Sequence, residues 1–176
     1  MASVSASPKT NENAETALAQ KITPMLWFND NAEEAVNFYT SLFPNSKILS
    51  IERYGAGGPG PEGSVMTASF QIAGQQFVAL NGGPHFKFTE AISLVISCDS
   101  QEEVDRYWEK LTADGGEESQ CGWLKDKYGL SWQVTPRVLI QLIQDPDKAK
   151  ANRVFQAMLT MKKIEIPKLM EAAEQQ

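Results

Sequence analysis

DNAEEAVNFYTSLF occupies residues 30–43, and DSQEEVDRYWEKLT at residues 99–112 repeats its pattern. Both segments have Asp at the first position, two adjacent Glu residues at the fourth and fifth, and an aromatic pair at the ninth and tenth. An apolar run typical of a β-strand precedes each of them, MLWF at 25–28 and ISLVIS at 92–97. We therefore predict a duplicated strand–helix–strands unit of the α+β class, with a ligand cavity between the two copies.

The first copy contains a predicted helix, a loop and a hairpin. Asp30 or Asn31 is the expected N-cap of the helix, because Glu33 or Glu34 follows at the capping-box spacing. The loop at 55–63 has many glycines but opens no helix, so it does not indicate a phosphate site. It is either a mobile flap beside the cavity or a plain connection.

The second copy is expected to be shorter. Its helix should end in a left-handed cap at 114–116, and LSWQVTP at 130–136 is its one clear strand, with a weaker strand near Glu118. Lys125 and Asp126 are expected to form a solvated charge pair on the loop between them.

The predicted domain organisation has three parts. Residues 1–20 are a disordered segment. Residues 21–136 form the domain of two modules, about 21–86 and 90–136. Residues 137–176 form a C-terminal helical extension, in which Asp145–Pro146 is the expected start of one helix.

Composition excludes several classes of function. The net charge of −6 argues against nucleic acid and anionic membranes as partners. No run is long enough for a transmembrane helix, and no signal or transit peptide is evident, so a cytoplasmic location is expected. The two cysteines are then expected to be reduced, with Cys98 buried as a small apolar residue.

Four segments closely resemble one protein family: NDNAEEAVNFYTSLFPNSKI, GSVMTASFQIAGQQFVALNGGPHFKFTEAISLVI, CGWLKDKYGLSWQVTP and VFQAMLTMKKIEIPKL. They are similar to the PhnB-like branch of the glyoxalase/bleomycin resistance (vicinal oxygen chelate) superfamily, often labelled 3-demethylubiquinone-9 3-methyltransferase. The resemblance covers about residues 22–170. It implies two βαβββ modules, with the second abbreviated, that enclose a ligand cavity, and it implies a homodimer.

The resemblance also implies where a metal would bind. Carried over strand by strand, the superfamily's four metal-binding positions fall on or next to Pro24, Ala79, Ser93 and Gln133. Only Gln133 could act as a ligand, so we expect no metal site and no cofactor. The methyltransferase label would require a strand–glycine–helix unit for the methyl donor, and none is present, so methyl transfer is not expected.

Three residues could carry chemistry. His85 is the only histidine, and Glu90 could orient it if the intervening loop folds back. Gln133 should face the cavity if Trp132 and Val134 face the other side of their strand. His85, Glu90 and Gln133 are therefore the candidate catalytic residues, although a connector histidine bonded to the backbone is the alternative for His85.

The candidate ligand-binding residues are mostly aromatic. Aromatic side chains could line a site for a flat or apolar ligand, although core packing is the alternative for each. Asn81 and Ser93 are included because they lie at or beside the positions carried over from the superfamily. The predicted set is Trp27, Phe77, Asn81, Phe86, Ser93 and Trp123.

The sequence is compatible with three functional hypotheses. The first is a protein that binds a small organic molecule and has lost the inherited metal site. The second is an enzyme of the same superfamily, such as a metal-assisted isomerase, lyase or dioxygenase acting on an unidentified metabolite. The third is a structural or interaction protein that uses its C-terminal helices.

Overall fold

The structure, a computed structural model, describes residues 20–175, and the chain divides into two compact units after Gly83. Most of the segment predicted to be disordered, residues 1–20, therefore lies outside the described residues. The two units are described separately below.

The first unit contains one helix and one four-stranded sheet. In the sheet the strand order is β1-β4-β3-β2, with β1 parallel to β4 and the other pairs antiparallel. The elements are β1 Met25–Phe28, α1 Ala32–Leu42, β2 Lys47–Arg53, β3 Val65–Ile72 and β4 Gln75–Asn81.

One face of this sheet packs against α1. Tyr39 on the helix is completely buried, and its ring stacks on Phe70 of β3 with centroids 6.4 Å apart. Phe70 in turn stacks on Phe77 of β4 at 5.6 Å. These aromatic contacts form the core of the unit, and α1 buries the apolar face that its helical spacing predicts.

The cap of α1 differs from the prediction. Asn31 is the N-cap residue, but its side chain makes no capping hydrogen bond. Instead, Asn81 at the end of β4 accepts a hydrogen bond from the N–H of Ala32 through Oδ1, at 2.9 Å. A residue distant in sequence thus satisfies one of the unpaired N–H groups at the start of the helix.

The second unit repeats the topology of the first. Its strand order is β5-β8-β7-β6, again with the first pair parallel and the others antiparallel. The duplicated unit and the short strand near Glu118 are therefore confirmed. The elements are β5 Ser93–Cys98, α2 Gln101–Thr112, a 3₁₀ turn Ala113–Gly115, β6 Glu117–Glu118, β7 Trp123–Lys125 and β8 Ser131–Pro136.

Two local features of the second copy are notable. Asp114 has φ 54° and Gly115 has φ 107°, which confirms the left-handed turn after α2. The strand β7 was not predicted, because its three residues lie in a segment that the sequence pattern assigns to a loop.

Asp126 is buried, which corrects the expectation of a solvated charge pair with Lys125. Only 2% of Asp126 is exposed. Its Oδ1 accepts hydrogen bonds from the N–H groups of Tyr128 and Leu130, at 2.9 and 3.1 Å, and its Oδ2 accepts one from Trp132 Nε1 at 2.8 Å. The carboxylate therefore holds together the turn between β7 and β8.

Three C-terminal helices complete the second unit. Their shared core contains Leu139, Val154, Ile164 and Leu169. Asp147, rather than the expected Asp145, caps the second of them by accepting from two backbone N–H groups. Within the described range, no helix combines the length and apolarity needed to cross a membrane. The helices are α3 Arg137–Ile143, α4 Lys148–Leu159 and α5 Ile166–Glu174.

The loop before β7 binds this helical segment through its backbone. The N–H of Cys121 donates to the carbonyl of Met161 at 2.8 Å, and the N–H of Gly122 donates to Lys162 at 2.7 Å. Gly122 has φ 84°, and a Cβ there would lie 2.8 Å from the carbonyl oxygen of Val134. Glycine is needed at this position because of its positive φ and because the Val134 carbonyl leaves no room for a side chain.

Candidate functional site

The sheet of the second unit has two different faces. Trp132 and Val134 on β8 are buried on the face packed against α2. Because side chains alternate along a strand, Gln133 and Ser131 lie on the opposite face, as was predicted for Gln133. We call this opposite face of the β5–β8 sheet the site face.

Strand pairing arranges the residues of the site face in two rows. The first row consists of Ser93, Ser131, Lys125 and Glu117, one residue from each of β5, β8, β7 and β6. The second row consists of Val95, Gln133 and Trp123. Residues in one row point to the same side of the sheet, so polar and aromatic groups from distant segments become neighbours.

Gln133 is held in place by Ser93. Its Nε2 donates a hydrogen bond to Ser93 Oγ at 2.8 Å. The Oε1 of Gln133 makes no hydrogen bond within the described part of the chain, so it can accept one from a ligand. Two predicted site residues are thus in direct contact, and Trp123 lies beside them.

Lys125 connects two carboxylates at the edge of the site face. Its Nζ lies 2.9 Å from Glu117 Oε2 and 3.4 Å from Glu90 Oε1. Hydrogen bonds to Glu117 and Glu90 raise the pKa of Lys125, which keeps it protonated. A backbone hydrogen bond and Lys125 lower the pKa of Glu90 from 4.5.

Glu90 does not contact His85. The carboxylate of Glu90 pairs with Lys125 instead, and His85 is exposed and makes no hydrogen bond or ion pair with any described residue. Phe86, next to His85, is 65% exposed. The structure therefore does not bring His85, Glu90 and Gln133 together as one catalytic group.

A cavity of about 310 Å³ lies beside the first row of the site face. Ser131 lines it and is 1% exposed, yet its Oγ has no hydrogen-bond partner among the residues described. Ser131 was not among the predicted site residues, although its position two residues before Gln133 places it on the same face. The lining residues are Glu90, Glu117, Glu118, Ser119, Trp123, Leu124, Lys125 and Ser131.

The candidate residues of the first unit make contacts within the fold, and Asn81 also lines a cavity of that unit. Trp27 Nε1 donates to the carbonyl of Gly83 at 2.8 Å, and its ring packs so closely on Gly82 that a Cβ there would lie 2.2 Å from it. Phe77 is buried in the core. Besides capping α1, Asn81 donates through Nδ2 to the carbonyl of Val65 at 3.0 Å.

The glycine-rich loop of the first unit lines a cavity of about 650 Å³. Tyr54 exchanges backbone hydrogen bonds with Gly63 and Ser64, and its ring packs against Gly58 and Gly60. Arg53 Nη2 forms an exposed ion pair with Glu33 at 2.9 Å in the same cavity. The loop thus borders a cavity, while its mobility stays a prediction.

The inherited metal positions do not present a set of metal ligands. Pro24 has no side-chain donor, and Ala79 is completely buried in register with Ala68 and Leu26 on the face packed against α1. Ser93 and Gln133 are hydrogen-bonded to each other. Among residues 20–175, no group of three or more His, Cys, Asp or Glu side chains could hold a metal ion.

Cys98 is a buried thiol, as predicted. Burial is the main reason that its pKa is raised to about 12. Because the thiolate is the nucleophilic form, Cys98 is not reactive near neutral pH. Both Cys98 and Cys121 are free.

Two βαβββ units with the same strand order define an α+β protein of the glyoxalase/bleomycin resistance class. A family model described as 3-demethylubiquinone-9 3-methyltransferase matches residues 20–135. The chain therefore belongs to this PhnB-like family. Among curated proteins, none matches the sequence.

Several solved structures are similar to this chain. A structure described as a 3-demethylubiquinone-9 3-methyltransferase, PhnB protein, from Bacillus cereus is 46% identical, with a TM-score of 0.62 over 66% of this chain and 99% of that chain. Protein PA1353 from Pseudomonas aeruginosa is 22% identical, with a TM-score of 0.54 over 66% and 97% of the two chains. A glyoxalase/bleomycin resistance protein from Albidiferax ferrireducens T118 is more distant, at 16% identity and a TM-score of 0.44 over 65% and 96%.

Proposed function

We propose that this protein binds a small organic molecule on the site face of its second unit, without a metal ion. The observation that carries the proposal is the arrangement of Gln133, whose amide is fixed by Ser93 beside the indole of Trp123. A few fixed polar groups next to an aromatic surface are typical of a small-molecule site. The adjacent cavity supplies volume for a ligand.

We propose a metal-free site because the side chains at the inherited metal positions offer too few ligand atoms. Divalent ions in this type of fold need several strong ligands, and Gln133 offers one weak amide oxygen. Ala79 faces the helix, and its neighbours Val78 and Leu80 on β4 have no donor atoms either. A metal ion would therefore be held too weakly by these residues to act in binding or catalysis.

The family label suggests methyl transfer, but residues 20–175 offer no site for a methyl donor of the S-adenosylmethionine type. Such sites place a glycine-rich turn between a strand and the N-terminus of a helix. Here the glycine-rich loop joins β2 to β3, two strands of one antiparallel pair. We propose ligand binding, and not methyl transfer, as the function.

Any reaction at the site would depend on a small number of groups. Gln133 could polarise a bound carbonyl or hydroxyl through its amide, whereas Glu90 pairs with Lys125 and His85 is an exposed residue apart from both. If the protein turns over a metabolite, we therefore expect Gln133→Ala to reduce the rate more than His85→Ala. A Gln133→Ala variant with the rate of the wild type would contradict the role of Gln133.

A ligand screen tests the proposal. Mixtures of small organic molecules are observed by saturation-transfer NMR in the presence of the purified full-length protein, with and without EDTA. We expect ligands whose signals persist in EDTA and weaken at least tenfold with Trp123→Ala and with Gln133→Ala. Phe155→Ala is the matched control, because Phe155 is a 42% exposed aromatic residue on α4.

Two outcomes of this screen would contradict the proposal. One is binding that disappears in EDTA and returns when a divalent ion is added. The other is binding that is equally strong in the Trp123→Ala and Gln133→Ala variants and in the wild type, because the ligand would then lie elsewhere.

The assembly and location of the protein are part of the same proposal. We infer a homodimer from the family resemblance, and we propose that it works in the cytoplasm. Light scattering of the purified protein measures the subunit number directly.

A further inference from the structure

We infer that the cavity at the edge of the site face binds the ammonium group of a primary amine, with Ser131 Oγ accepting one of its hydrogen bonds. This inference rests on the proposed function, and it names the class of ligand. It begins with a defect in the fold: Ser131 is 1% exposed, and its Oγ is a buried side-chain oxygen with no partner among the described residues.

An unpaired buried hydroxyl is costly. Burying a polar group without a hydrogen bond costs stability, so such a group in a native protein needs an explanation. Its two immediate neighbours in the row do not supply a bond. Ser93 accepts from Gln133, and Lys125 pairs with Glu117 and Glu90. A ligand in the cavity that Ser131 lines would supply the missing partner.

The charge of the cavity determines whether a cationic or an anionic ligand is favoured. Two carboxylates lie beside it on the site face, those of Glu90 and Glu117, against the single ammonium of Lys125. The Glu118 carboxylate points to the α2 side, where it accepts from Trp108 Nε1 and pairs with Lys162, so it adds no charge to the cavity and the surplus on the site face is one negative charge. A cation is therefore favoured over an anion.

The aromatic neighbour adds to this preference. Trp123 lines the same cavity and is only partly buried. A tryptophan face attracts cations more strongly than other aromatic rings, and it also packs against alkyl groups. An alkylammonium ion matches both properties. A primary ammonium has three N–H donors, enough for Ser131 Oγ and for two carboxylate oxygens.

The test uses four small probes that differ in charge or in their number of N–H donors. Butylammonium, butan-1-ol, butanoate and tetramethylammonium are titrated into ¹⁵N-labelled full-length protein, and the Trp123 indole N–H resonance is followed. We expect butylammonium to bind at least tenfold more tightly than butan-1-ol and butanoate. Tetramethylammonium, which has no N–H donor, should bind at least threefold more weakly than butylammonium.

Two variants locate the binding. Ser131→Ala and Glu117→Gln should each weaken butylammonium at least fivefold, whereas the control Glu109→Gln on the exposed surface of α2 should leave it unchanged. Ser131→Ala should also keep or raise the Tm of the unliganded protein, because it removes an unsatisfied buried hydroxyl. Glu117 is a surface residue, so Glu117→Gln tests the inference even if Ser131→Ala does not fold.

The results separate this inference from the proposed function. If butan-1-ol or butanoate binds at Trp123 as tightly as butylammonium, the inference fails and the proposed function stands. If no probe shifts the Trp123 resonance, the inference also fails, and the ligand screen alone decides the proposed function. A lower Tm in Ser131→Ala with unchanged butylammonium binding would show that Ser131 has only a structural role.

Discussion

Asp126 and Ser131 are two almost completely buried polar residues with opposite surroundings. Asp126 accepts three hydrogen bonds and organises the turn before β8, whereas Ser131 Oγ makes none. Asp126 therefore has a structural role, and Ser131 is the residue that we assign to the ligand site. Neither role could be predicted from the sequence, because both depend on which groups the folded chain places around the side chain.

The first prediction concerns Asp126. Asp126→Ala should lower the free energy of unfolding by about 3 kcal/mol, because three N–H groups, two of them in buried hydrogen bonds, lose a charged acceptor. Asp126→Asn should cost less, since its oxygen can still accept from two backbone N–H groups. Urea denaturation measures both values, and a loss below about 0.5 kcal/mol in Asp126→Ala would contradict the role given to the carboxylate.

The second prediction concerns pH. The pKa of Glu90 is below its ordinary value of 4.5 in the folded protein, because of a backbone hydrogen bond and of Lys125. The ionised Glu90 carboxylate therefore stabilises the folded protein at pH values above the pKa that Glu90 has in the unfolded chain. This stabilisation is lost as the pH falls through the lower pKa that Glu90 has in the folded protein.

NMR titration of the Glu90 side-chain carboxyl carbon tests this. We expect a midpoint below 4.5 in the wild type and a shift upward, towards 4.5, in Lys125→Met. Because the backbone hydrogen bond is the larger cause, part of the shift should persist in the variant. A midpoint that does not move would show that Lys125 and Glu90 do not interact in solution.

At the scale of single elements, the two helices that follow β1 and β5 begin differently despite their similar sequences. In α2, Ser100 Oγ accepts from the N–H of Glu103 at 3.2 Å, and Glu103 Oε2 accepts from the N–H of Asp99 at 2.8 Å. This is a variant of the capping box, in which the carboxylate of Glu103 accepts from the residue before the N-cap and not from the N-cap itself. In α1 the side chain of Asn81 replaces it.

The third prediction follows from that difference. Asn81→Ala should destabilise the protein by about 1–2 kcal/mol, because it removes the cap of α1 and the hydrogen bond to Val65. Asn31→Ala should change stability by less than about 0.5 kcal/mol, since the Asn31 side chain makes no capping bond. Thermal unfolding compares the two variants, and the reverse order would contradict the structure.

Element boundaries could be predicted wherever the signal was local. The turn at Ala73–Gly74 joins β3 and β4, and both residues have positive φ, as in a two-residue hairpin. The strand β7 could not be predicted in this way, since its three residues are extended only because β6 and β8 pair with them. The cap of α1 was also missed, because its acceptor lies at residue 81.

At the scale of the whole molecule, the internal repeat predicted the main architecture. Two βαβββ units follow from one repeated helix and its flanking strands, and the structure confirms them. The facing of Gln133 was also predictable, because alternation along a strand needs only one known buried neighbour. The residues beside Gln133 could not be predicted from the sequence. Val95 and Trp123 lie there because of the register of strand pairing.

The C-terminal helices belong to the second unit and stabilise it. Ile164 is completely buried in their core, while Ile140 on α3 is 42% exposed. The fourth prediction is that Ile164→Ala lowers the free energy of unfolding by about 3 kcal/mol, through lost burial and a residual cavity. Ile140→Ala should lower it by less than about 1 kcal/mol. Equal effects in denaturant unfolding would contradict this packing.

We propose that this PhnB-like protein binds an organic ligand without a metal ion. The decisive experiment is a native mass spectrum of the untagged protein, compared with its mass after denaturation. We predict folded subunits with no bound divalent metal ion, and any additional mass should be an organic molecule released on denaturation. One divalent ion per subunit would rule out a metal-free site.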